Sequence, residues 1–310
     1  MAGIGIIANP HSKLNKRNPK RQHLLSYIAG EQGRVEITNN LEELSKVARD
    51  FKERDIKILA INGGDGTISR TLTAFIQAFG EKPLPQVALL RGGTMNMLAG
   101  NLKILGSPEE ILFRLIEVHS STIKPATKTL NTLKINNNYG FLFSNGTSAR
   151  FLQEFYKNKT GVLGSLILVW KLIGSSFVGG KLFRNIVKNE IVKLHIDGKQ
   201  SLQHGSVSVS CATVEKMPLG RKLFPGADEI INLFKVVSVN LAENELVRKF
   251  SAGFLFRPEE PGYGKIRFCT SHLSLEYESP QLFTLDGELY HDRNGKLDIS
   301  LGPRISFVIL

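Results

Sequence analysis

Ile56-Lys57-Ile58-Leu59-Ala60-Ile61-Asn62-Gly63-Gly64-Asp65-Gly66-Thr67 is the stretch whose reading decides the fold. An apolar run of strand length ends in three glycines around one carboxylate. Glycine weakens an element and contributes no packing, so Gly63, Gly64 and Gly66 imply a ligand that needs close access to the backbone. Beyond them Ile68, Leu72, Phe75, Ile76 and Phe79 recur at helical spacing, so Thr67 to Phe79 reads as a helix. In a strand–glycine turn–helix unit, successive backbone N–H groups and the positive end of the helix dipole converge on one point. That point suits phosphate, and Asp65 sits where a phosphate-bound Mg²⁺ would be held. A tight turn with no ligand is the plain alternative.

The same alternation continues on both sides. Strands are expected at Ile4–Ala8, Arg34–Ile37, Ile56 onward and Val87–Leu90, with helices at Arg21–Ala29, Leu41–Glu53, from Thr67, and at Pro108–His119. This argues a parallel sheet with helices on both faces, a nucleotide-binding α/β domain over residues 1–125 with its ligand beyond the carboxyl ends of the strands. After Lys128 the pattern changes to short alternating segments at 130–135, 191–196, 206–210, 265–269, 273–277 and 296–300. Turn pairs Asp197-Gly198, Asp286-Gly287 and Asn294-Gly295 separate some of them, so residues 126–310 read as an antiparallel, sandwich-like domain.

At 310 residues the chain is long enough for two domains, and 42% hydrophobic residues supply sizeable cores. Cys211 and Cys269 have no metal-ligand spacing and read as reduced core thiols. The N-terminus lacks a basic region before its short apolar run, so no signal peptide is expected. The net charge of +12 attracts polyanions. No zinc-knuckle, helix-turn-helix or aromatic-rich RNA signature accompanies it, so nucleic acid is not an expected partner. The basic run Lys13, Lys16, Arg17, Lys20 and Arg21 reads equally well as a solvated face. The apolar stretch from Gly161 to Gly179 is interrupted by Lys171 and diluted by glycine, which makes a membrane span improbable. It reads as a buried helix, or as a surface helix touching lipid between Lys157, Lys159, Lys181, Arg184 and Lys188.

Further turns share the chemistry of the first. The opening strand ends in Asn9-Pro10-His11-Ser12, and the second strand is followed by Thr38. The fourth ends in Arg91-Gly92-Gly93-Thr94-Met95-Asn96-Met97-Leu98-Ala99, where glycines admit a ligand, Thr94 offers a hydroxyl, and Asn96 anchors the loop or binds phosphate. Near the end stands Phe283-Thr284-Leu285-Asp286-Gly287-Glu288. By itself Asp-Gly is a hairpin turn.

Taken in this order, Asn-Pro-x-Ser, Gly-Gly-Asp-Gly-Thr, Gly-Gly-Thr-x-Asn-x-x-Ala and Asp-Gly-Glu resemble the signatures of the diacylglycerol kinase catalytic-domain family, which includes diacylglycerol, sphingosine and related bacterial lipid kinases. The resemblance covers nearly the whole chain. It implies ATP and Mg²⁺ in a cleft between the domains, with Asn9, Thr38, Gly63, Gly64, Gly66, Thr67, Gly93, Thr94 and Asn96 around the nucleotide and Asp65 on the metal. It implies Glu288 as the general base that takes the acceptor's proton, with Asp286 orienting it or the turn. A lipid alcohol, diacylglycerol-like by default, is the implied acceptor, and a cytoplasmic enzyme peripheral at the membrane the implied setting. Two departures stand out. Met97-Leu98 replaces an Asp-Phe pair of many members, and Ile231-Asn232 follows Pro225-Gly226-Ala227 where bacterial relatives carry the acid of a structural Mg²⁺ site, so that metal is not expected here. Asp228 and Glu229 nearby read as surface acids, and Asn145 as a plain turn residue or one facing the cleft.

Two rivals remain. NAD kinases share Gly-Gly-Asp-Gly-Thr but should carry an Asn-Glu pair on a strand end and a Gly-Ser-Thr-Ala-Tyr segment. Asn189-Glu190 and Glu243-Asn244-Glu245 are not so placed, and the segment is absent. A catalytically silent lipid or nucleotide sensor would need no Asp65 or Glu288. No Walker-type lysine loop is present.

Overall fold

The computed structural model describes residues 3–121, 124–157, 185–220, 222–240 and 265–310. The apolar stretch Gly161–Gly179, with Lys159, Lys181 and Arg184, and the Glu243-Asn244-Glu245 segment lie outside them.

The N-terminal region runs β1 (Ile4–Ala8), α1 (Lys13–Arg17), α2 (Arg21–Ala29), β2 (Gly33–Ile37), α3 (Leu41–Glu53), β3 (Ile58–Asn62), α4 (Asp65–Phe79), β4 (Gln86–Leu89), α5 (Met97–Asn101) and α6 (Pro108–Ser120). Helix starts follow local chemistry. Asn40 accepts from the Glu43 N–H ahead of α3, and Ser107 and Glu110 close a reciprocal capping box ahead of α6, with Pro108 in the first turn. The strands order as β2-β1-β3-β4, all parallel. β1 and β3 are buried at every residue, as expected where helices cover both faces.

The remainder runs β5 (Ala126–Ile135), β6 (Asn138–Gly140), β7 (Leu142–Asn145), α7 (Thr147–Lys157), β8 (Glu190–Ile196), β9 (Gln200–Ser206), β10 (Ser208–Ala212), β11 (Phe234–Val239), β12 (Lys265–Thr270), β13 (His272–Glu276), β14 (Gln281–Leu285), β15 (Glu288–Asp292) and β16 (Lys296–Ile309). Six strands form an antiparallel sheet, β12-β11-β10-β7-β14-β15. Its inner residues Phe143, Val209, Phe234 and Phe283 share a core with Leu133, Val192, Leu273 and Leu297 of the other sheet. The fold class expected from the sequence is therefore present: a parallel α/β region followed by an antiparallel sandwich. Asp197-Gly198 and Asp286-Gly287 have positive φ at both residues, the geometry of a hairpin whose twist matches its strands.

β16 departs from the pattern. The segment expected to end near Ser300 runs on to Ile309, shifting register between Leu301 and Arg304 around Gly302-Pro303, and pairs parallel with β4 at Phe307 and Val87. Ile305, Phe307 and Val308 are buried in the N-terminal core. One sheet thus runs on from β4 through β16, β13 and β8 to β9.

Three smaller expectations are corrected. Cys211 is a buried thiol, but Cys269 is exposed on β12, which pairs only with β11 among the described strands. Asp228 is no surface acid: its side chain is 12% exposed, pairs with Lys128, and keeps one carboxylate oxygen buried without a partner among the described residues. Glu190 opens β8 and pairs with Arg150 at 2.9 Å. Of the basic run, Lys16, Arg17 and Lys20 are exposed, whereas Arg21 binds Glu109 at 2.6 Å.

Candidate active site

β1 has β2 on one side and β3 on the other, so the first crossover and the next leave in opposite directions, the arrangement that in open α/β sheets places the ligand crevice beyond the carboxyl ends. Ala8 lies opposite Asn62, and the Asn9 N–H donates to the Asn62 carbonyl at 3.0 Å. The Asn9 amide donates to Thr67 Oγ1 at 2.8 Å, which joins the turn after β1 to the first turn of α4. Buried Asn15 donates to the Asn9 carbonyl at 2.8 Å, and its Oδ1 accepts from Asn62 Nδ2 at 3.3 Å. Among the described residues, Ser12 Oγ and Asn62 Oδ1 are buried without a hydrogen-bond partner. Thr38 is also buried here, its N–H on the Ala8 carbonyl at 3.1 Å.

The two glycine turns pack on each other. A methyl group on Gly93 would sit 2.4 Å from Gly64 Cα, and one on Gly63 would sit 2.4 Å from the Thr67 side chain. The reading from sequence gave these glycines to a ligand. At Gly63 the Thr67 side chain takes that space, and at Gly93 the Gly64 backbone does, which cannot swing aside. Asp65 fastens the same junction. Its carboxylate accepts the Met97 N–H at 3.0 Å on one oxygen and the Leu98 N–H at 3.1 Å on the other. Burial raises its pKa, opposed by those two N–H groups. Asn96, in the left-handed region at φ 45°, shapes the second turn by accepting the Gly93 N–H at 3.2 Å and donating to the Gly93 carbonyl at 2.9 Å. Of the two alternatives for Asn96, this geometry is the anchor. Thr94 is exposed at the tip of that turn.

Glu288 arrives from the far end of the chain. It opens β15 and rests against the first turn of α4: a Cβ on Gly66 would fall 1.9 Å from Glu288 Oε1. Glu288 Oε2 pairs with Arg70, one helical turn beyond Gly66. Tyr156 of α7 donates to the Gly287 carbonyl at 2.9 Å. Burial and the Glu288 charge both raise the Tyr156 and Tyr290 pKa values, and Arg70 opposes. Asp286 faces inward. It accepts from the N–H groups of Phe141 at 3.0 Å and Leu142 at 2.9 Å, and burial, with a smaller contribution from the Asp65 charge, pushes its pKa up to about 7. Asn145 does not reach this group: its amide is buried between Tyr277 at 2.6 Å and the Val209 N–H at 2.9 Å.

Among the described residues, no three His, Cys, Asp or Glu side chains stand together as a metal cage. Mg²⁺ bound chiefly by nucleotide phosphates needs no such cage. Each Asp65 oxygen holds one backbone N–H, which leaves a lone pair on each for a further partner.

Residues 4–127 match the family model of the diacylglycerol kinase catalytic domain. That settles the resemblance. Over those residues the chain is similar to the diacylglycerol kinase catalytic domain. The chain is also similar over 99% of its length to a solved diacylglycerol kinase from Bacillus anthracis str. Sterne, at 14% identity and TM-score 0.67 over 96% of that chain. Two further chains from that organism, provisionally named diacylglycerol kinases, match at 15% and 16% identity with TM-scores of 0.72 and 0.71, over 96% and 97% of their lengths. At these identities the likeness shows the fold. No curated protein matches the chain. The family match over residues 4–127 supports a lipid-kinase family.

The diacylglycerol kinase-type match takes in the first three motifs but not Asp286-Gly287-Glu288. The structure brings that fourth motif to the first by the contact between Glu288 and Gly66. Reading from sequence missed Asn15, Asn62, Arg70 and Tyr156. Asn15 lay inside a basic run and Arg70 on the polar face of a helix, where only the fold reveals the partner.

Proposed function

We propose that the chain transfers the γ-phosphoryl group of ATP to the hydroxyl of a lipid, diacylglycerol-like by default. The observation that carries this reading is the approach of Glu288 to the glycine turn at Gly66, which sets a carboxylate beside a helix N-terminus suited to polyphosphate. Asn9, Thr38, Gly63, Gly64, Gly66, Thr67, Gly93 and Thr94 would border the nucleotide, with Asn96 and Asp65 holding the two turns at their spacing. Residues 1–125 would serve the nucleotide and 126–310 the lipid.

In the transfer, the acceptor oxygen forms a bond to Pγ while the bond from Pγ to the bridging oxygen of ADP breaks, and the hydroxyl proton passes to the Glu288 carboxylate. Asp65 would hold, directly or through water, a Mg²⁺ brought with the nucleotide, which would supply neutralisation of phosphate charge. Tyr156 holds the Glu288 turn against α7 through the Gly287 carbonyl. No helix among the described residues is long and apolar enough to cross a membrane. A peripheral enzyme at an anionic cytoplasmic surface agrees with the +12 charge.

The test is labelled-ATP transfer across diacylglycerol, sphingoid base, glycerophospholipid and polyprenol, with NAD as a separate arm. Product on one lipid class supports the reading and names the acceptor. Product on NAD alone, or on nothing, contradicts it.

A further inference from the structure

Arg70 carries an inference that rests on this reading of the site. Helical side chains lean toward the helix N-terminus, so an arginine one turn after Gly66 reaches back over the turn where phosphate would bind. There its guanidinium meets Glu288, the one hydrogen-bonded partner it has among the described residues. The pair is half-open to water, with side-chain exposures of 50% for Arg70 and 29% for Glu288. Ion pairs so exposed are weakly held, and exchanging one anion for another costs little. A terminal phosphate carries more charge than a carboxylate and offers oxygens in the spacing that a guanidinium fork matches. The carboxylate that would take the acceptor's proton is paired with Arg70.

We propose that Arg70 reads the γ-phosphate: it holds Glu288 until ATP binds, then leaves it for the terminal phosphate and so frees the carboxylate for the acceptor hydroxyl. Arg70 moves no proton and forms no covalent bond. It makes the base available only when there is a phosphoryl group to transfer.

Calorimetry of ATP and of ADP with wild type, Arg70→Gln and Arg70→Lys separates this role from a structural one. Arg70→Gln should weaken ATP by roughly tenfold or more, the loss of one hydrogen bond between charged groups, and leave ADP within about twofold. Arg70→Lys should fall between them, keeping the charge and losing the fork. If Arg70 only braces Glu288, ATP and ADP affinities move together or not at all, and that result overturns the inference while leaving the nucleotide site in place. Wild-type protein that binds neither nucleotide overturns the reading of the site and this inference with it.

Discussion

Glu288 Oε1 lies where a side chain on Gly66 would begin, 1.9 Å from the position of its Cβ. Two motifs at opposite ends of the sequence therefore share one space. Gly66→Ala should displace the Glu288 carboxylate, whose end is flexible, and leave most of the stability intact. Gly93→Ala would instead drive a methyl group to 2.4 Å from Gly64 Cα, where only backbone can yield. The expected outcome is a contrast. Thermal denaturation should show a clear loss for Gly93→Ala, on the order of 1–3 kcal/mol for overpacking. Transfer assays should show a fall in kcat for Gly66→Ala at near-native stability. Equal stability losses would contradict this division of roles.

Asp65 joins the turns through the N–H groups of Met97 and Leu98, so its removal acts on geometry as well as on charge. Asp65→Asn keeps one acceptor and turns an NH₂ toward the other donor. The expected cost is about 1–3 kcal/mol of stability for a buried N–H left unpaired. Transfer should drop by roughly 10²–10³. A folded Asp65→Asn protein with wild-type turnover and melting temperature would remove Asp65 from both roles.

Asp286 gives a dependence on pH. Its folded pKa is raised from 3.8 to about 7, chiefly by burial. The folded state therefore holds a proton that the unfolded chain has released. That contribution is complete below pH 3.8 and is lost as pH rises through about 7. Relative to Asp286→Asn, which cannot ionise, wild type should lose melting temperature steadily from pH 4 to pH 8. A constant difference between the two proteins across that range would contradict the assignment.

Membrane association should follow the charge. Sedimentation with anionic vesicles should be strong at low salt and weaken as screening increases, and neutral vesicles should bind less. Equal binding to both vesicle types would count against an electrostatic contribution.

The α/β grammar was legible because each strand and helix of the first region carries its own period: Leu44 and Phe51 of α3 and Ile68, Leu72, Phe75 and Phe79 of α4 are all buried as their spacing requires. The hairpin turns were legible because positive φ at Asp197-Gly198 and Asp286-Gly287 demands those residues. β16 was not, since Gly302-Pro303 interrupts its alternation and its pairing with β4 is decided by residues far away in sequence. The candidate site divides in the same manner. Its glycines and acids could be named from sequence, but the partner of Asp65 is the backbone of Met97 and Leu98, which no side-chain pattern records. The Arg70–Glu288 pair spans 218 residues and likewise appears only when the chain is folded.

The central claim is that Glu288 takes the proton of a lipid hydroxyl as ATP gives up its γ-phosphoryl group. The most direct measurement is labelled-ATP transfer to diacylglycerol by wild type and Glu288→Gln, with ATP affinity measured on both. Glutamine is nearly isosteric and can still hydrogen-bond, but it cannot take a proton, so transfer should fall by about 10²–10⁴ in kcat. ATP affinity should not be weakened by the change. Transfer by Glu288→Gln at a near wild-type rate would contradict the account.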